Sequence, residues 1–240
     1  MEKLKVLFEN RLVRVSVYTL CISFVSEMAY HAVKRWRKIL VKDEVNEVLY
    51  TNDQTQICTA SHKSNNVACK NRSCYIRNIA RIVKCIDSAK ASIDFSMYIF
   101  TAAEPAEAVL RAHRRGVRVR VICDESMAFA SGSQAVAFHN AGIPVRFQTN
   151  STGLMHHKFC IIDGPYSRRL RPSTSAVARY ANESDMIPLL LNGSMNWTFQ
   201  GFSGNWENLL ITSNLQLIDQ FEQEFQRMWN KFNNKNNCIV

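Results

Sequence analysis

The stretch Met155-His156-His157-Lys158-Phe159-Cys160-Ile161-Ile162-Asp163 constrains the fold most tightly. It is a short, mostly apolar run, the signature of a buried strand. Side chains on a strand alternate between faces. His156, Lys158, Cys160 and Ile162 therefore share one face, and His157, Phe159, Ile161 and Asp163 share the other. Burying a cation beside an imidazole is costly unless something answers the charge. Two readings follow. One is a polar strand end near the surface. The other is an anion site, where His156 attacks or moves protons and Lys158 neutralises phosphate.

The segments around this run set the fold class. Apolar residues recur at helical spacing over 76–89, and 92–100 alternates like a strand. Pro105 suits a helix first turn, and 106–115 reads as a helix stopped by Gly116. A strand over 117–123, a helix over 134–140 and a strand over 143–147 continue the rhythm. Further strands are expected at 47–50, 186–191 and 209–213, with a closing helix over 215–232. Strand–helix–strand repetition predicts an α/β domain with parallel pairing. The stretch between the opening strand and residue 186 reads as a long polar loop carrying Arg168, Arg169 and Arg171.

The N-terminal part reads differently. Residues 13–30 are mostly apolar and approach the roughly 20 residues a bilayer span needs. Lys34-Arg35-Trp36-Arg37-Lys38 follows, a cluster that stays cytosolic and carries an interfacial Trp. The alternatives are a signal peptide, a transit peptide or an amphipathic surface helix; no small-residue cleavage site follows the run. A retained anchor over 1–40 and a catalytic domain over 41–240 is the expected organisation.

The chain carries 30 Lys and Arg against 20 Asp and Glu, a net charge of +10. That favours phosphate-bearing partners, nucleic acid or anionic lipid. At 47% hydrophobic residues, wholesale disorder is excluded. Of eight cysteines, Cys85, Cys123 and Cys160 lie in apolar segments and read as small core residues. Cys58-x3-His62-x6-Cys69-x4-Cys74 gathers four zinc-type ligands in one polar stretch, suited to a structural site and alternatively just surface cysteines. Arg111, Arg114, Arg115, Arg118 and Arg120 form either a solvated face or an RNA track. Trp197, Phe199, Phe202 and Trp206 serve either base stacking or the core, with the core favoured for at least two.

His156-x-Lys158-x4-Asp163 followed by Gly193-Ser194-x-Asn196 resembles the HKD signature of the phospholipase D superfamily. The N-terminal anchor and the Cys/His insertion narrow the resemblance to its mitochondrial branch. One departure is the 29 residues between Asp163 and Gly193, longer than usual in the family. The resemblance implies a mixed β-sheet flanked by helices on both faces, and phosphodiester hydrolysis through a phosphohistidine without a catalytic metal. It implies catalytic roles for His156, Lys158, Asn196 and Ser194. Glu207 is expected to orient the imidazole. Asp163 belongs to the motif, but by strand parity it faces away from His156. The motif occurs once, so a homodimer with a composite active site is implied. Implied partners are single-stranded RNA, in piRNA maturation, or cardiolipin, at the cytosolic face of the mitochondrial outer membrane. Structural zinc on Cys58, His62, Cys69 and Cys74 completes the expectation.

Overall fold

A computed structural model describes residues 11–40, 44–55, 62, 69–148, 153–166 and 186–232, with the side chains of 12, 14 and 34–40 left out. Cys58, Arg168, Arg169, Arg171 and the basic cluster at 34–38 lie outside these descriptions. The chain divides into two compact units, Met1–Glu44 and Val45–Val240.

The described residues of the first unit form a helix, α1 (Arg11–Leu40). Its apolar side chains are exposed, among them Tyr18, Leu20, Ile22 and Phe24. Among the described residues no helix is long and apolar enough to cross a membrane. The run expected as an anchor is interrupted by Ser16, Thr19, Ser23, Ser26 and Glu27. The Thr19 hydroxyl returns to the helix by donating to the Val15 carbonyl at 2.8 Å.

The second unit is built on a seven-stranded mixed sheet. In chain order its elements are β1 (Asn46–Thr51), α2 (Tyr75–Asp87), β2 (Ser92–Met97), α3 (Ala103–Arg114), β3 (Arg118–Cys123), α4 (Glu125–Ala128), α5 (Ala135–Asn140), β4 (Val145–Phe147), β5 (Lys158–Ile162), β6 (Leu189–Gly193), α6 (Phe199–Ser203), β7 (Glu207–Thr212) and α7 (Leu215–Lys231). The spatial order is β1-β7-β6-β5-β2-β3-β4. Parallel pairing is confined to β2–β3–β4. β5 enters antiparallel to β2, and β6, β7 and β1 continue antiparallel. The α/β rhythm thus holds for half the sheet only, because hairpin-like returns build the other half.

Strand alternation sorts the core into two layers. Cys160 and Ile162 join Ile93, Phe95 and Trp197 in one cluster that also takes in Ile79, Ile82 and Ile86 of α2 and Val109 of α3. Phe159 and Ile161 join Phe225 and Trp229 of α7 in the other. Helices therefore cover both faces. Each buried aliphatic or aromatic side chain contributes about 1.5–3 kcal/mol of transfer free energy. Within the second layer, Arg120 makes a bidentate pair with Asp94 across β3–β2, at 2.7 and 2.8 Å. Its guanidinium lies over Phe225 and Trp229. Of the arginines at 111–120, Arg111 and Arg115 share Asp87 and Arg120 is held by Asp94, partners distant in sequence. Cys85, Cys123 and Cys160 are buried as expected, and burial pushes the Cys85 thiol up to about 11 and the Cys123 thiol to about 12.

Candidate active site at one end of the central strands

The antiparallel register brings four strand ends together. Met97 ends β2 opposite Lys158, which begins β5. Phe159 faces Asn192 near the end of β6, and Gly193 faces Leu209 near the start of β7. The sequence just outside these ends, namely Tyr98, His156, Ser194 to Asn196 and Glu207, converges on one rim. His156 is exposed and Lys158 is buried. The Tyr98 amide donates to the His157 carbonyl at 2.9 Å, pinning the segment that carries His156.

Lys158 Nζ donates to the His156 carbonyl at 2.9 Å. It also lies 3.2 Å from both ring nitrogens of His156. An in-plane approach equidistant from the two nitrogens would collide with Cε1, so the ammonium sits over the ring face. The Tyr98 ring lies 4.8 Å from the imidazole, centroid to centroid, and 5.5 Å from Lys158 Nζ. Tyr98 is a site residue that sequence reasoning missed; its place directly after a strand ending beside Lys158 was the available signal. Burial lowers the Lys158 pKa below the ordinary lysine value, and the Glu207 carboxylate opposes that shift.

Ser194 and Glu207 are joined directly, the hydroxyl donating to a carboxylate oxygen. The other carboxylate oxygen accepts from Asn205 Nδ2 at 3.1 Å. The Ser194 amide donates to Asn208 Oδ1 and the Asn208 amide to Ser194 Oγ, both at 3.2 Å. Gly193 is required here, since a Cβ would lie 2.1 Å from the Asn208 carbonyl oxygen. Glu207, expected to orient an imidazole, here accepts from Ser194 and Asn205, and its charge acts on Lys158.

β6 ends at Gly193, so Ser194 and Asn196 do not continue a strand face. Ser194 is exposed, whereas Asn196 leads into the buried Trp197. The Asn196 carbonyl accepts from the Thr198 amide at 2.9 Å, and Gly201 packs so closely on it that a Cβ would come within 2.2 Å. Asn196 Oδ1 is buried with no partner among the described residues.

Asp163, the motif carboxylate that strand parity turns away from His156, lies just past the end of β5, five residues from Lys158 and about 16 Å away at the usual strand rise. Its carboxylate accepts from the amides of Lys90, Ala91 and Ser92 at 2.7–3.2 Å. It is buried at φ +50°, a left-handed conformation that Asp tolerates better than most residues. It is a staple holding the start of β2, not part of the reaction centre. His157 points to the other face, 3.5 Å from Glu224.

Three of the four expected metal ligands can be placed. The ligand atoms of His62, Cys69 and Cys74 lie within 4.8 Å of one another. His62 Nε2 is 3.1 Å from Cys74 Sγ. Cys58 lies outside the described residues. Two thiols and an imidazole converging in this way fit a tetrahedral zinc site.

An imidazole and an ammonium at one strand end, a serine–glutamate pair at the adjoining ends and an asparagine two residues beyond that serine are the side chains a phosphodiesterase of the phospholipase D type uses. Residues 82–229 match the family described as "Cardiolipin synthase, PLD-like domain". The chain belongs to the phospholipase D superfamily. It is 38% identical over 234 residues to the mitochondrial cardiolipin hydrolase of Drosophila melanogaster, covering 91% of this chain and 89% of that one. Against the mitochondrial cardiolipin hydrolase of Chlamydomonas reinhardtii the identity is 33%, over 80% of this chain and 76% of the relative. The fold is similar to that of the phospholipase D family member Nuc from Salmonella typhimurium (TM-score 0.52, 24% identity, 78% of this chain and 95% of that one). It is similar also to NucT from Helicobacter pylori (TM-score 0.53, 19% identity, 78% and 97%).

Proposed function

We propose that the protein is an endoribonuclease that cleaves single-stranded RNA at the mitochondrial outer surface, in the maturation of piRNA precursors, through a phosphohistidine intermediate. The observation that carries the mechanism is the ammonium of Lys158 lying 3.2 Å from both ring nitrogens of an exposed His156. One nitrogen attacks the phosphorus, and the bond to the leaving oxygen breaks. Lys158 and the Asn196 amide bind the non-bridging oxygens and stabilise the added charge. The leaving oxygen takes a proton from a second imidazole. That second group then accepts a proton from water, which attacks the phosphohistidine, releases the phosphomonoester and restores His156.

A single chain carries one copy of the motif. A homodimer about a twofold axis supplies the second His156 and makes one composite site. No step is routed through a metal. Zinc on His62, Cys69, Cys74 and, from the sequence, Cys58 acts as a structural clip at the start of α2. RNA is favoured by the net charge of +10 and by Phe199 and Trp206, which are exposed, whereas Trp197 and Phe202 are core. The relatives' names support a mitochondrial setting, and α1 with its exposed apolar side chains supports attachment to that membrane, the catalytic domain facing the cytosol.

The same names favour a second reading, a cardiolipin hydrolase that releases phosphatidate. The deciding experiment presents the full chain, with chelator, to single-stranded RNA, double-stranded RNA and cardiolipin vesicles. Cleavage of single-stranded RNA is expected. Turnover of the lipid alone overturns the proposal in favour of the second reading.

A further inference from the structure

β1 is an edge strand, and its flank carries two adjoining cavities of about 570 and 510 Å³. Tyr50 and Arg72 line both, so the two cavities meet at these residues along one flank. The inner end is bounded by Ser194, Trp206, Glu207 and Asn208 and opens on the active site. The strand register explains the junction. Tyr50 lies opposite Asn208, which bonds Ser194, and Thr51 lies opposite Glu207.

The outer end runs between β1 and α2, where Arg77, Arg81 and Lys84 line the groove. Their spacing puts them on one helix face, spread over roughly 10 Å. That matches the roughly 10 Å from Glu47 to Tyr50 along β1. Arg81 is committed to Glu47 at 2.7 Å. Arg77 is fixed by donating to the carbonyls of Cys69 and Asn71. Arg72 and Lys84 are exposed. Two aromatics stand out on the strand side of the groove: Tyr50 is 56% and Trp206 77% exposed. A groove with a cationic wall and exposed rings meets the needs of an unpaired nucleic-acid strand, phosphates on one side and bases on the other. An acyl chain would require an apolar slot in place of the arginines.

We infer that the β1–α2 groove is the track that holds the substrate strand on one side of the scissile phosphodiester, with Arg72 and Lys84 binding its phosphates and Tyr50 and Trp206 stacking its bases. This rests on the RNA reading above. The test compares the parent with Arg72→Ala/Lys84→Ala and with Trp206→Ala. The substrates are an unstructured RNA oligonucleotide and the small diester bis(p-nitrophenyl) phosphate; thermal melts monitor folding. The expected result is a rise in KM for RNA of about tenfold in each variant with kcat held, and a fall of about tenfold in the ratio of RNA to small-diester kcat/KM. In the double variant the dependence of log affinity on log salt becomes shallower by about 0.7 per cation removed. An unchanged ratio and an unchanged salt slope in folded variants overturn the track. A parent that hydrolyses the small diester and leaves RNA intact overturns instead the reading on which it rests.

Discussion

Lys158 Nζ lies 3.2 Å from each ring nitrogen of His156, over the face of the imidazole. Its burial lowers its pKa, and Glu207 works against that shift. The ammonium form is the one that binds phosphate, so kcat/KM falls on the alkaline side at a pH below the ordinary lysine value. Glu207→Gln removes the opposing charge and moves that limb to still lower pH. A pH–rate profile of parent and variant on a small diester checks both; coincident alkaline limbs would contradict the coupling.

The same shift has a consequence for stability. A lysine whose folded pKa lies below its unfolded value binds protons more weakly when folded, so stability rises with pH across that interval. The penalty is fully present below the folded pKa and gone above the ordinary lysine value. Lys158→Met therefore abolishes activity and raises Tm near neutral pH, and the gain shrinks as the pH approaches the lysine range. Melting curves across pH measure it.

Asp163 stabilises the fold without touching the reaction centre. Asp163→Ala leaves the amides of Lys90, Ala91 and Ser92 without their acceptor and puts an alanine at φ +50°. Charged hydrogen bonds contribute about 1.5–3 kcal/mol each, so a loss of about 3 kcal/mol or more is expected in urea unfolding, with kcat per folded molecule close to that of the parent. A large fall in kcat of the folded fraction would restore a catalytic role to Asp163.

Gly193→Ala tests the rim from the backbone side. The added methyl meets the Asn208 carbonyl oxygen at 2.1 Å, so β6 and β7 must part and the Ser194–Asn208 exchange is lost. Activity drops by about two orders of magnitude, in line with a misplacement of an ångström, and Tm falls with it. Full activity would show that the register there is not needed.

Strand alternation made the central part of this site legible. Phe159 and Cys160 occupy opposite core layers as their positions dictate, and Lys158 follows Cys160. The mixed sheet followed from the resemblance, but its antiparallel half was not legible in the strand pattern, because an apolar run does not set its own pairing direction. The ion pairs of the arginines at 111–120 were hidden for a similar reason: Asp87 and Asp94, which pair with Arg111, Arg115 and Arg120, sit on other elements. Of the four aromatics near the motif, two are core and two exposed, a division set by α6, a helix too short to leave a period in the sequence. Tyr98 carries no motif and became a site residue only through register.

The central claim is that His156 attacks phosphorus and that two copies of it make one site. The direct measurement is a rapid quench of full-length protein with RNA labelled at the scissile phosphate, followed by peptide mapping. The account predicts an acid-labile phosphoryl group on His156, reaching one per two chains and absent from His156→Ala. Cleavage without any such adduct, or an undiminished rate in His156→Ala, would contradict it.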